Sequence, residues 1–184
     1  MTNLVMWARE LSAARMADPL PRRWRHVQAV AAKAENLRPV MADDADLLVA
    51  SAWLHDIGYS SSVQDTGFHP LDGARYLKRM GAEDRLCRLV ANHSGASHEA
   101  MLRGLAGELA EFPDERSLAR DALWYCDMTT SPVGRPVTFD ERLTEIKSRY
   151  GDEHPVPRGI TAAANEIRSA IAAVGAAVDD HAID

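Results

Sequence analysis

Hydrophobic positions along this chain recur at spacings of three and four, the period of helices buried along one face. Leu4, Trp7, Leu11 and Ala14 mark an amphipathic helix over residues 3–16, which Asp18-Pro19-Leu20-Pro21 ends. Val27, Val30, Ala31, Ala34 and Leu37 stripe a second over about 22–37, with His26 bordering the buried face and Pro39 as its stop. Asp43 is placed to cap a third that runs to about Asp56, in which Leu48, Ser51, Ala52 and His55 share one side. Its small residues Ala50, Ser51 and Ala52 admit a close neighbour, and Gly58 is placed to end it. Pro70 opens the next helix, which ends at Gly81 and leaves His69 at its mouth. A short helix over about 82–92 carries Leu86, Leu89, Val90 and His93 on one face, and Ser94-Gly95 breaks it. Residues 98–111 read as one helix closed by Phe112-Pro113, after which Asp114 caps a helix with Leu123, Trp124 and Asp127 on one side. Beyond a loop from Thr129 to Pro136, Thr138 and Glu141 form a capping box for a helix presenting Phe139, Leu143, Ile146 and Tyr150. The last helix follows Pro155 and Pro157, repeats Ile160, Ala164, Ile167, Ile171, Val174 and Val178, and frays over 179–184. No period-two stretch interrupts this series, so the expected fold class is all-α, with about seven to nine helices.

Composition changes the picture little but narrows the function. The 184 residues suit one domain with a sizeable core, 46% hydrophobic and 26% charged. A net charge of −6 argues against broad nucleic-acid binding, yet a metal and a few arginines can still set a local field for an anionic small molecule. Cys87 and Cys126 stand far apart with no CxxC spacing, which points to a reducing, cytoplasmic setting without a disulfide framework. Met1 to Met16 mixes Arg and Glu into its apolar residues, unlike a signal peptide, and no apolar run approaches the ~20 residues of a membrane span.

The chemistry centres on Trp53-Leu54-His55-Asp56-Ile57-Gly58-Tyr59. A carboxylate at the end of an apolar segment is costly to bury without a partner, so adjacent His and Asp there ask for a cation. His26, His69, His93 and Asp127 fall on helix faces or helix ends, where they could join it. His98, His154 and His181 lie in polar or terminal settings and are expected to be solvated.

The order His26, His55-Asp56, Asp127 resembles the HD-domain superfamily of metal-dependent phosphohydrolases, in the form Leu54-His55-Asp56-Ile57-Gly58, over about residues 20–150. His69-Pro70-Leu71-Asp72-Gly73-Ala74 and Val90-Ala91-Asn92-His93-Ser94-Gly95 resemble the extra histidine segments of its dinuclear members. Those members include dinucleoside tetraphosphate hydrolases, cyclic dinucleotide phosphodiesterases of the HD-GYP type and mixed-valent di-iron oxygenases. The Gly-Tyr-Pro pattern is absent here, and Tyr59 stands where a Lys often follows. The resemblance implies a single HD-domain helical bundle over 1–184 with helices at both ends packed on the core. It also implies a divalent metal centre, with two ions per chain, iron or manganese before magnesium, cobalt, nickel or zinc. Its ligands would be His26, His55, Asp56 and Asp127 for one ion, and Asp56, His69 and His93 for the other, with Asp56 bridging as the catalytic residue. Arg22, Arg23 and Arg25, near the opening of the second helix, and Arg135, eight residues past Asp127, are the candidate phosphate contacts. The expected activity is hydrolysis of a nucleotide-like or other small phosphorylated compound. A di-iron oxygenase or a non-catalytic metal-binding regulatory module would use the same ligand order.

Overall fold

The structure, a computed structural model, describes residues 3–182. Twelve α-helical segments follow one another among the described residues: α1 (Asn3–Met16), α2 (Pro21–Asn36), α3 (Arg38–Met41), α4 (Ala45–Leu54), α5 (His69–Arg79), α6 (Asp84–Ala91), α7 (Ala96–Arg103), α8 (Ala106–Leu109), α9 (Leu118–Met128), α10 (Phe139–Tyr150), α11 (Pro155–Ala162) and α12 (Ala164–His181). Short 3-10 turns span Ala42–Asp44, Ile57–Tyr59 and His93–Gly95. No strand occurs among the described residues, and an isolated bridge pairs Thr130 with Pro136. The all-α expectation holds.

Helix α4 is the pillar. Its run of small and aliphatic residues is buried on every side, from Leu47 to Ala52 and again at Leu54, as expected for a helix apolar all round. Helices α1, α2, α6 and α9 pack against it. Helix α9 separates two cores. Ala122, Leu123 and Cys126 face the one built on α4, while Trp124 and Met128 face a second made with Phe139, Ile146, Ala163, Ile167 and Ala170. The C-terminal helices thus close over the side of α9 opposite the pillar. No described helix is long and apolar enough to cross a membrane.

Several boundaries differ from the sequence reading, each for a local reason. Pro39 does not only stop α2; it sits in the first turn of α3, where its missing N–H costs nothing. Asp43 lies in a 3-10 turn and caps no helix, and its neighbour Asp44 binds Arg85 instead. Helix α4 ends at Leu54, so His55 and Asp56 stand just past it rather than in its last turn. Gly58 is needed for contact: a Cβ there would lie 2.0 Å from the His69 carbonyl oxygen and 2.8 Å from the Gly73 nitrogen. The expected helix over 98–111 splits into α7 and α8 because Gly104 turns left-handed at φ +73°. Asp114 accepts from the Arg120 guanidinium, leaving Ser117 to cap α9 through the Arg120 N–H. The final helix divides at the buried Ala163, against which Gly95 packs. The capping box of Thr138 and Glu141 forms as expected. The end expected to fray stays helical through His181, and Ile183 and Asp184 lie outside the described residues. His154 caps α11 by accepting from the Val156 N–H, and so is not merely solvated.

Candidate metal centre

Helix ends converge on one point. His26 comes from the second turn of α2, and Asp127 from the last turn of α9. His55 and Asp56 follow α4, His69 opens α5, and His93 follows α6. His26, His55, Asp56, His93 and Asp127 are buried, and His69 is nearly so. Two triads, His26-His55-Asp56 and Asp56-His69-His93, each bring their ligand atoms within 4.8 Å of one another, and Asp56 belongs to both. Asp127 Oδ1 lies 2.9 Å from His26 Nε2 and 3.9 Å from His55 Nε2. The structure therefore brings together all six residues that the sequence singled out.

Their hydrogen bonds make the case for a cation. The Nδ1–H of His55 donates to the Ala52 carbonyl at 2.8 Å, and that of His93 to the Val90 carbonyl at 2.7 Å. His26 Nδ1 meets the Ser131 carbonyl at 3.1 Å. A carbonyl only accepts, so in the neutral imidazoles each proton sits on Nδ1 and each Nε2 presents a lone pair inward. Those lone pairs face carboxylate oxygens: His26 Nε2 meets Asp127, and His55 Nε2 lies 3.5 Å from Asp56 Oδ2. His55 Nε2 is buried with no hydrogen-bond partner. His69 and His93 point Nε2 at each other at 3.1 Å, with His69 Nε2 3.4 Å from Asp56 Oδ1. A buried nest of acceptors is repulsive unless a cation shares it, and backbone carbonyls behind histidines are the usual support of metal ligands. The residues present fit divalent ions that take imidazole and carboxylate.

The electrostatics agree. Burial pushes the Asp56 carboxyl up, but the Arg23 guanidinium beside it outweighs this and holds Asp56 well below the usual carboxylate range. Burial acts likewise on Asp127, yet its contact with His26 and the nearness of His55 hold it well below that range too. Burial lowers the His69 imidazole well below its ordinary value, and lowers His93 too. Deprotonated carboxylates and neutral imidazoles are the forms that bind metal. The Ser94 hydroxyl donates to Asp127 Oδ2. Ser94 reaches it from the left-handed region, at φ +51°, in the turn that follows His93.

A cavity of about 60 Å³ opens on the cluster and is lined by Arg23, Arg142 and Arg149 as well as by Asp56, His69 and His93. Arg23 donates to Asp56 Oδ2 at 2.5 Å and lies over the Tyr59 ring at 3.4 Å, and that ring stacks on His69 at 3.9 Å. Of the arginines that the sequence offered as phosphate contacts, Arg23 lines this cavity. Arg22 lines a neighbouring pocket, whereas Arg25 and Arg135 are exposed and line neither cavity. Helical phase explains the difference within the first group: Arg23 lies three residues before His26 and Arg22 four, so both share its face, and Arg25 turns away. Arg135 is held on the surface by its loop, where its backbone pairs with Ser131. Arg142 and Arg149, four residues before and three after the buried Ile146, lie on its side of α10 and were not singled out in the sequence.

Comparison with known proteins agrees with the geometry. The family described as HD domain matches residues 23–129. A tRNA (cytidine(56)-2'-O)-methyltransferase from Picrophilus torridus is 37% identical over 84 residues, covering 44% of this chain and 24% of the relative. Its counterpart from Thermoplasma volcanium is 37% identical over 83 residues, with the same coverage. The chain thus spans about a quarter of the length of the curated relatives it matches. No solved structure matches. With the match extending over more than half of the chain, and with His26, His55, Asp56 and Asp127 gathered at its centre, the protein belongs to the HD-domain family.

Proposed function

We propose that the protein is a metal-dependent phosphohydrolase acting on a small phosphorylated compound. The observation that carries this reading is the pair of ligand triads sharing Asp56 beneath an arginine-lined cavity. His26, His55, Asp56 and Asp127 would hold one divalent ion, and Asp56, His69 and His93 a second. Bound there, divalent ions supply Lewis acidity toward a phosphoryl oxygen and a water made nucleophilic near neutral pH. The chain's own part is to bind, orient and neutralise. Arg142 and Arg149 offer guanidinium forks at the cavity wall, a geometry matched to phosphoryl oxygens. Arg23 ties Asp56 to the cavity rim, and Ser94 fixes the Asp127 carboxylate from the other side. Three arginines at the cavity favour an anionic substrate over a neutral one, which supports hydrolysis ahead of oxygenation at the same ligands. Methyl transfer to tRNA belongs to the names of relatives four times longer than the matched segment and is not carried over to this chain.

The test is elemental analysis of anaerobically purified protein, followed by a screen of phosphorylated compounds with Mn, Fe, Co and Mg. Metal-dependent release of phosphate, abolished in Asp56→Ala, is expected. Oxygen uptake by the reduced iron form without phosphate release would replace the proposal with an oxygenase. Bound metal without either activity would leave a regulatory module.

A further inference from the structure

Helix α10 carries a second cluster of charge beside the candidate metal ligands. Glu145 is approached by three arginines: Arg142 at 2.6 Å, Arg149 at 3.3 Å and Arg22 at 3.6 Å. One carboxylate cannot match three guanidinium groups, and the shortfall is visible. Arg142 is 7% exposed, and its buried Nε–H finds no acceptor. The cluster lies where the cavity over the metal ligands meets an outer pocket of about 320 Å³, since Arg23, Arg142 and Arg149 line both. The outer pocket adds Arg22 and an apolar wall of Pro19, Leu20, Pro21 and Pro132. The inner cavity, at about 60 Å³, has room for little more than a reacting group, so the body of a substrate has to lie in the outer pocket and pass these arginines. Arg22, Arg142, Glu145 and Arg149 all fall outside the segment that matches the family, so the cluster is a property of this chain beyond its family core.

We infer that Arg22, Arg142 and Arg149 form an anion subsite beside the metal centre, in which Glu145 stands in for a second oxyanion carried by the substrate. The inference rests on the phosphohydrolase reading for the reacting group and adds that the substrate bears a further phosphoryl or carboxylate group. On binding, that group takes the guanidinium contacts, and Glu145 swings to solvent, which its 31% exposed side chain already reaches. Glu145 then acts as a specificity residue: its negative charge competes with the second oxyanion, and compounds with one oxyanion group gain least from the cluster.

Calorimetric titration of the metal-loaded protein with methylphosphonate, phosphonoacetate and methylenediphosphonate tests this, because binding is read without turnover. At least one of the two compounds with a second oxyanion should bind the wild type tighter than methylphosphonate. Arg149→Ala should cost that compound about tenfold in affinity, as expected for a lost hydrogen bond between charged groups, and cost methylphosphonate clearly less. Glu145→Gln should tighten the same compound. Arg149 and Glu145 are partly exposed, so both variants should fold, and circular dichroism checks it. An advantage that survives in Arg149→Ala would belong to metal chelation alone and would overturn the subsite. Equal weakening of all three probes would overturn it as well. If the subsite behaves as stated and no phosphorylated compound is hydrolysed, the subsite stands and the hydrolase reading falls.

Discussion

At the scale of the residue, the centre is defined by where protons are not. Backbone carbonyls take the Nδ1 protons of His26, His55 and His93, so acceptors face acceptors until a cation arrives. Asp56 is common to both triads, and Asp56→Ala is expected to empty the site. His69→Ala or His93→Ala should leave about one ion where the wild type holds about two, as in two-metal centres. Elemental analysis reads both, and a single ion in the wild type, unchanged in either histidine variant, would remove the second site. Burial also sets a pH dependence for the chelated protein. His69 and His93 are held below their ordinary pKa when folded, so as pH falls through about 6.5 the unfolded chain takes up protons that the folded chain resists. Stability should therefore drop over that window. Asp56 and Asp127, held low when folded, add stability present above about pH 4 and lost only in stronger acid. Melting temperatures of metal-free protein between pH 8 and 5 check the first window, and a rise on acidification would contradict it.

At the scale of the element, helix ends do the positioning. Gly58 lets the turn after α4 touch the first turn of α5, which sets His69 against Asp56. Gly58→Ala drives a methyl group into the His69 carbonyl, so the two elements have to part. Overpacking of this kind costs about 1–3 kcal/mol, and bound metal should fall with it. Denaturant melts paired with metal content test this, and a stable variant with full metal would show that the contact relaxes freely. The opposite end of α9 provides the contrast. Ser117 caps it ten residues before Asp127, and Ser117→Ala should cost about 0.5–2 kcal/mol while leaving metal content alone. Loss of metal in that variant would mean that the cap orders the whole helix.

At the scale of the whole molecule, two cores share α9, and the site lies where its C-terminal end meets both. The segment that matches the family supplies the candidate ligands, while α10 and α11 wall the cavity through Arg142, Ile146, Arg149 and Val156. Chelation should lower the melting temperature, because the bound ion offsets the repulsion among the buried acceptors; an unchanged melt would make the ion a bystander to the fold. The sequence by itself determined the all-α class, because apolar spacing of three and four is local and survives without knowledge of neighbours. It also determined the six candidate ligands, because a buried His-Asp pair and histidines at helix mouths announce their chemistry through residue type. It failed where an outcome depends on what lies across a gap. Whether Asp114 or Ser117 caps α9 turned on Arg120 claiming the former. Gly58 looked like a helix end and proved to be a contact surface, because only α5 lying against it makes a side chain impossible. Arg25 and Arg135 carry the same charge as Arg23 and Arg142, and only helical phase and the packing of α10 over the centre decided which guanidinium groups face it. Charge type is written in the chain, but the direction in which a charge points is settled by the packing of helices far apart in sequence.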